Sequence, residues 1–176
     1  MPSGSNGDTT WLQLCSACLR YSGTRRAKDL SPPTLRPPGV TLEMEKSIEG
    51  GLRFLARSQG PDGSYGKWSR QPARRKICPT AMSSLVGLTF LSSGRTPTRG
   101  PYARNLQKST EYLLEKCADT RFHRVPGLLS DPLASEDRTM YCHGFAMTYL
   151  ALVFPQEADR ERRETIRDVL KRAHRA

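Results

Sequence analysis

The sequence predicts an all-α fold, on three observations. Five segments carry helical periodicity, amphipathic segments exchange regularly with uncharged ones, and a short pattern recurs at a spacing of about 58 residues. The first helix begins near Thr41. Ile48, Leu52 and Leu55 share one stripe with Gly51, while Glu43, Glu45, Lys46, Glu49 and Arg53 fill the remaining surface, leaving one wet face. The second helix is "PTAMSSLVGLTFLSSG", where Pro79 suits a first turn and Gly94 a stop, with no charge between them. The third runs from about Ala103 to Ala118. Lys108, Glu111, Glu115 and Lys116 form its polar side, and Leu106, Leu113 and Cys117 its dry one. The fourth, "MYCHGFAMTYLALVF", is again almost uncharged and is closed by Pro155. The tail "RRETIRDVLKRAHRA" places Ile166, Val169, Leu170 and Ala173 at i, i+3, i+4 and i+7.

The order is therefore wet, dry, wet, dry, wet. A helix that is apolar all round must be covered on every side, whereas an amphipathic one can face water, so the alternation predicts two layers. Residues 1–40, with "SPPTLRPPG" and many small polar residues, hold no sustained periodicity and read as a disordered leader. The folded part is 41–176, one domain with a modest core.

A net charge of +11 and an isoelectric point near 9.9 would attract nucleic acid, anionic lipid or phosphate-bearing molecules. Arginine scattered over loops and helix faces also describes an ordinary solvated surface. The densest stretch, "KWSRQPARRK", offers Lys67, Arg70, Arg74, Arg75 and Lys76 as candidate anion ligands for a diphosphate group or an acidic protein. Only Trp68 interleaves as an aromatic, which argues against nucleic acid as the partner. The five cysteines show no paired framework, so a reducing, cytoplasmic setting is expected. Cys15 and Cys18 are half a zinc site and lack the second pair. The apolar run near the N-terminus is too short for a membrane span and has no basic residue before it.

The recurrence is specific in its residues. Phe54-Leu55 is answered by Tyr112-Leu113 at 58 positions and by Val169-Leu170 at 57 more, each pair near the end of an amphipathic helix. Gly63 and Tyr65 are answered by Gly127 and Leu129 at 64, and Ala81-Met82 by Ala146-Met147 at 65. Gly51, Phe54-Leu55, Gln59, Gly63 and Tyr65 resemble the QW motif, with Tyr65 where tryptophan is usual and Trp68 displaced by three. In the second copy, with Lys108, Tyr112-Leu113 and Gly127, Cys117 replaces the glutamine. Together with "YCHGFAMTYLAL" the pattern is similar to the terpenoid cyclase and protein prenyltransferase superfamily, above all its squalene-cyclase-like repeat proteins, over about three quarters of the chain.

The resemblance implies an α/α toroid of outer and inner helix hairpins, of which this chain would supply two pairs and the start of a third. It also implies that Gln59 is structural. A side-chain amide both donates and accepts, which suits the orphan backbone groups where a loop leaves a helix end. The alternative architecture is a generic helical solenoid.

The chemistry that the resemblance would bring is missing from the sequence. The cyclases' Asp-x-Asp-Asp acid has no counterpart, nor has the prenyltransferases' Asp-x-Cys zinc pair, so no cofactor or metal is expected. Asp131 and Glu136-Asp137 read as solvated carboxylates in a polar loop. Thr80, Tyr141, Cys142 and His143 would line a central cavity if the dry helices are inner. His143 is the one catalytic candidate, although its neighbour Cys142 diverges from it by about 100° and makes a poor metal partner. A satisfied, partly buried histidine is the competing reading. The sequence thus predicts a repeat protein inactive on its own, an incomplete toroid whose apolar flank holds an isoprenoid or other apolar ligand once completed. The alternative is a non-catalytic interaction module for a protein or anionic partner.

Overall fold

The computed structural model describes residues 39–66, 78–118, 125–131 and 136–176. Within these residues the chain is helical, with no strand. It divides into two units, 1–44 and 45–176. In the first, the Thr41 hydroxyl accepts the Met44 amide at 3.2 Å, the local bond that starts a helix. The expected leader lies almost wholly outside the described residues.

The helices are α1 (Leu42–Arg57), α2 (Pro79–Ser92), α3 (Ala103–Ala118), α4 (Glu136–Val153) and α5 (Arg160–Ala173), with a 3-10 turn over Phe154–Gln156. Each boundary has a local cause. The turn at the end of α2 depends on Gly94, whose φ is 79°: its amide bonds the Leu91 carbonyl at 3.0 Å and the Arg95 amide the Phe90 carbonyl at 3.1 Å. Those two bonds satisfy carbonyls that the helix end would leave bare. Pro155 ends α4, and the Glu157 amide closes the turn on the Val153 carbonyl at 3.0 Å. Asp159 caps α5 through its carboxylate, which accepts the Arg162 amide at 2.8 Å. α4 begins at Glu136, so Glu136 and Asp137 belong to its first turn and not to a loop, in accord with the preference of acids for a helix N-terminus.

The most extensive contact is α2 on α4, and α3 lies on α5, while α2 also meets α3 and α4 meets α5. Leu52, Phe90, Leu106, Leu113, Tyr149, Leu150, Ile166 and Val169 pack into one buried cluster. Tyr149 crosses it: its hydroxyl lies 3.0 Å from both the Leu106 carbonyl and the Thr110 hydroxyl of α3, and its ring lies against Gly87 of α2.

Three expectations are corrected. The packed face of α1 is turned away from Ile48, which is 54% exposed, toward Glu49. An acid turns inward there because its carboxylate accepts the Tyr102 hydroxyl at 2.6 Å and pairs with Arg95 at 3.1 Å. Tyr102 itself stacks on Phe90 with ring centroids 5.0 Å apart.

The uncharged helices are not covered all round either. Met82, Leu85 and Thr89 of α2 and Tyr141, Gly144 and Thr148 of α4 are exposed, each set at i, i+3 and i+7. The two stripes stand 59 positions apart, so burial matches the helices at 59 and not at the 65 expected from Ala81-Met82 and Ala146-Met147. The sequence match pairs two buried alanines, Ala81 and Ala146, but its methionines differ: Met82 is exposed, while Met147 is half-buried.

Asp131, finally, is buried rather than solvated. Its surroundings are described with the site below. No helix among the described residues is long and apolar enough to cross a membrane.

Candidate functional site

Two loops tie helices together, and each does so with a glycine and a polar side chain. The first follows α1. Gln59 holds its amide nitrogen 3.1 Å from the Gly63 carbonyl, 2.9 Å from the Asn105 carbonyl and 3.1 Å from the Ser109 hydroxyl. Its amide oxygen accepts from Asn105 Nδ2 at 2.8 Å, and that same nitrogen donates to the Ala56 carbonyl at 3.0 Å. The loop, the last turn of α1 and helix α3 therefore share one network, which satisfies helix-end carbonyls of the kind that need outside partners. Downstream, the buried Tyr65 donates its amide to Ser83 Oγ of α2 at 3.0 Å. Burial pushes the Tyr65 phenol up to about 12, with the Asn105 side chain acting the other way.

The second loop precedes α4. The Leu129 amide donates to His143 Nδ1 at 3.1 Å. His143 is only 7% exposed. The Leu129 amide thus occupies the Nδ1 lone pair of His143. The side chain offered by the sequence as a catalytic candidate thus joins α4 to the loop that precedes it.

Burial lowers the His143 pKa, because desolvation disfavours the charged imidazolium, against the weaker opposite pull of the Ala173 backbone. The unfolded chain then binds a proton at higher pH than the native one. Stability from this group is present in full above about pH 6.5, the ordinary value, and is lost as pH falls through the window beneath it. Urea titrations at neutral pH and near pH 5 are expected to show this slope in the native sequence and to show it flattened in His143→Gln. An unchanged slope in the variant would assign it to another group.

The remaining polar cluster is at the N-terminus of α2. Cys78 is the N-cap residue of that helix and offers no side-chain cap. The acceptor comes from the second loop: Asp131 takes the Thr80 amide at 2.9 Å on one oxygen and the Thr80 hydroxyl at 2.9 Å on the other, with the Tyr112 hydroxyl at 3.4 Å. A carboxylate there is stabilised by the helix dipole and by the orphan amides. Burial raises the Tyr112 phenol, and the Asp131 charge raises it further. Cys142 lies in the same cluster, and burial first and Cys78 second raise its thiol.

Of the four residues expected to line a cavity, only Tyr141, 68% exposed, stands on an open stripe. Thr80, Cys142 and His143 are buried among partners, since one helical turn carries Tyr141 outward and the next two residues onto α2 and α5. Phe54 is 70% exposed while Leu55 is half-buried, whereas Tyr112 and Leu113 are both buried. The two aromatic-aliphatic pairs therefore have different surroundings: the buried Tyr112 reaches Asp131, and Phe54 is exposed. Lys67, Arg70, Arg74, Arg75 and Lys76 lie outside the described residues. No group of three metal-ligating side chains occurs among the described residues.

No family model matches the chain, and neither the curated proteins nor the solved structures contain a match.

Proposed function

We propose that the chain is a squalene-cyclase-like or prenyltransferase-like repeat protein, built from two outer and inner hairpins and a third outer helix, that binds and does not catalyse. The observation that carries the reading is a contact made twice at one spacing. Gly63 lies against the backbone of Lys108 in α3, and Gly127 against the backbone of Arg172 in α5, so both the glycines and their partners are 64 positions apart. Both glycines have positive φ, 83° and 89°. The open stripes of α2 and α4 support an inner wall, where Met82, Leu85 and Tyr141 would meet an apolar ligand of the isoprenoid class. The thiols favour a reducing compartment such as the cytoplasm.

The test is equilibrium binding of radiolabelled farnesol, together with incubation in squalene and in farnesyl diphosphate. Binding should fall about a hundredfold when Met82 and Tyr141 are both changed to Asp, because each loses roughly 1.5 kcal/mol of apolar burial. No product should form. Retention unchanged in the double variant would remove the apolar wall, and turnover would make the protein an enzyme.

A second reading, a module that holds a protein or acidic partner, is favoured by the exposure of Phe54 at 70% and Met140 at 66%. A partner released when Arg74, Arg75 and Lys76 are changed to Glu would support it.

A further inference from the structure

We propose that the outward flank of α5 binds the phosphate backbone of double-stranded nucleic acid through a row of four cations, Arg160, Arg163, Arg167 and Lys171. The inference uses a surface that the reading above leaves aside, and neither depends on the other. The four residues stand at i, i+3, i+7 and i+11, and at about 100° per residue they share one sector of the helix. Arg160, Arg167 and Lys171 are exposed and Arg163 is half-exposed. The row lies away from both packed sides of α5. Ile166, Val169 and Ala173 are buried in the core cluster, and Arg162 turns toward α3, pairing with Glu111 at 3.4 Å and with the buried Glu157 at 3.6 Å.

The charges of α5 are sorted by side. Glu161 and Asp168 fall on the other flank, and Glu164 is the one acid of the helix beside the row. Glu164 lies 3.3 Å from Arg160 and 3.8 Å from Arg167, exposed pairs of little net worth that leave both guanidinium groups open to a stronger acceptor. No acid pairs with Arg163 or Lys171 among the described residues. Helix stability does not explain the row. The dipole favours a cation in the last turn, which suits Lys171, and disfavours one at the first residue, where Arg160 stands.

Charge and spacing select the partner. Successive members of the row rise by about 4.5–6 Å, close to the separation of neighbouring phosphates along one strand. Three of the four are arginines, whose forked N–H groups match phosphate oxygens in pairs. The sector holds no aromatic ring on which the bases of a single strand would stack, and no apolar side chain to enter a bilayer. The scarcity of aromatics in 67–76 likewise bears on single strands, since a duplex keeps its bases stacked on one another and offers its backbone. Contacts confined to phosphates carry no sequence preference.

The full chain is titrated with a short fluorescein-labelled DNA duplex of mixed sequence, read by fluorescence anisotropy. Four phosphate contacts predict a slope of log K on log salt of about −3.6, a loss of roughly a hundredfold between about 50 and 200 mM salt. Arg163→Gln with Lys171→Gln should lower the affinity about tenfold or more and make the slope shallower by about two, since two contacts go. Glutamine suits a helix and neither residue has an acidic partner, so the fold should be kept. Arg57→Gln with Arg104→Gln removes the same charge from exposed positions on α1 and α3 and should change both readings far less. In the native chain the duplex should shield Lys171 from acetic anhydride, mapped by mass spectrometry, while the exposed Lys46 of α1 stays reactive. That measurement needs no variant, so one that fails to fold leaves the test intact. Overturning results would be a shallow slope, equal weakening by the two double variants, Lys171 acetylated as fast with the duplex as without it, or tighter hold on a single strand, polyglutamate or phosphatidylserine vesicles than on the duplex.

Discussion

Tyr149→Ala is expected to cost about 3–5 kcal/mol of stability, read as a lower urea midpoint by far-UV circular dichroism. The side chain is fully buried and joins three helices. Its ring fills the space beside Gly87, and its hydroxyl meets Leu106 and Thr110, each at 3.0 Å. Removing the ring leaves a cavity that α2, α3 and α4 would all have to move to close, and it strips the Thr110 hydroxyl of one partner. Tyr149→Phe keeps the ring and should cost only about 1 kcal/mol, the net worth of a hydroxyl bond.

The same ring decides the sign at Gly87. In a helix interior, alanine is favoured over glycine by about 1 kcal/mol. At Gly87 a Cβ would stand 2.7 Å from Tyr149 Cδ2 and 2.9 Å from Cζ, and the ring is held by its hydroxyl at the far end. Gly87→Ala should therefore destabilise by about 1–3 kcal/mol. At Gly144 in α4 an added Cβ would have nothing within 4 Å, so Gly144→Ala should stabilise by about 1 kcal/mol. If both substitutions stabilise alike, the Tyr149 ring is free to move and its central role is wrong.

Much of this architecture was legible in the sequence, and the parts that were not share a cause. Helix positions followed from periodicity and from local stops such as Gly94 and Pro155, because those signals act within one turn of chain. Which face of a helix is covered depends on partners far away. Leu52 and Leu55 of the expected α1 stripe do pack, but Ile48 does not, because Glu49 takes its place inward with Tyr102 and Arg95. Asp131 looked solvated because its function is discharged 51 positions earlier, at Thr80. A signal for it did exist: α2 opens on Cys78-Pro79 without a serine, threonine, aspartate or asparagine at its N-cap, so its first free amides had to find an acceptor elsewhere. The partners of Gln59 were open to the same reasoning in kind, as orphan carbonyls, but not in identity, since Asn105 lies on another helix. His143 was ambiguous for a different reason: one imidazole serves equally as ligand, base or clamp, and only the atoms facing its two nitrogens tell these apart.

Gly63→Ala and Gly127→Ala are each expected to cost about 2–4 kcal/mol, and to cost nearly the same. Two terms contribute at both positions. The backbone has φ of 83° and 89°, where a side chain is strained by about 1–2 kcal/mol. The added Cβ would also stand 2.6 Å from the Lys108 carbonyl carbon in one case and 2.7 Å from the Arg172 carbonyl carbon in the other. Both obstacles are helix backbone, which cannot swing aside as a flexible side chain can. Gly94 separates the two terms: its φ is 79°, but nothing lies within 4 Å of its Cβ position, so Gly94→Ala should show the strain alone. The excess of the other two variants over Gly94→Ala then measures how closely each loop is pressed on the following amphipathic helix. Equal excesses are what one repeating hairpin requires, since the contact would be the same joint used twice. An excess at Gly63 with none at Gly127 would make the shared spacing of 64 a coincidence of two unrelated turns, and the repeat reading would lose the observation that carries it.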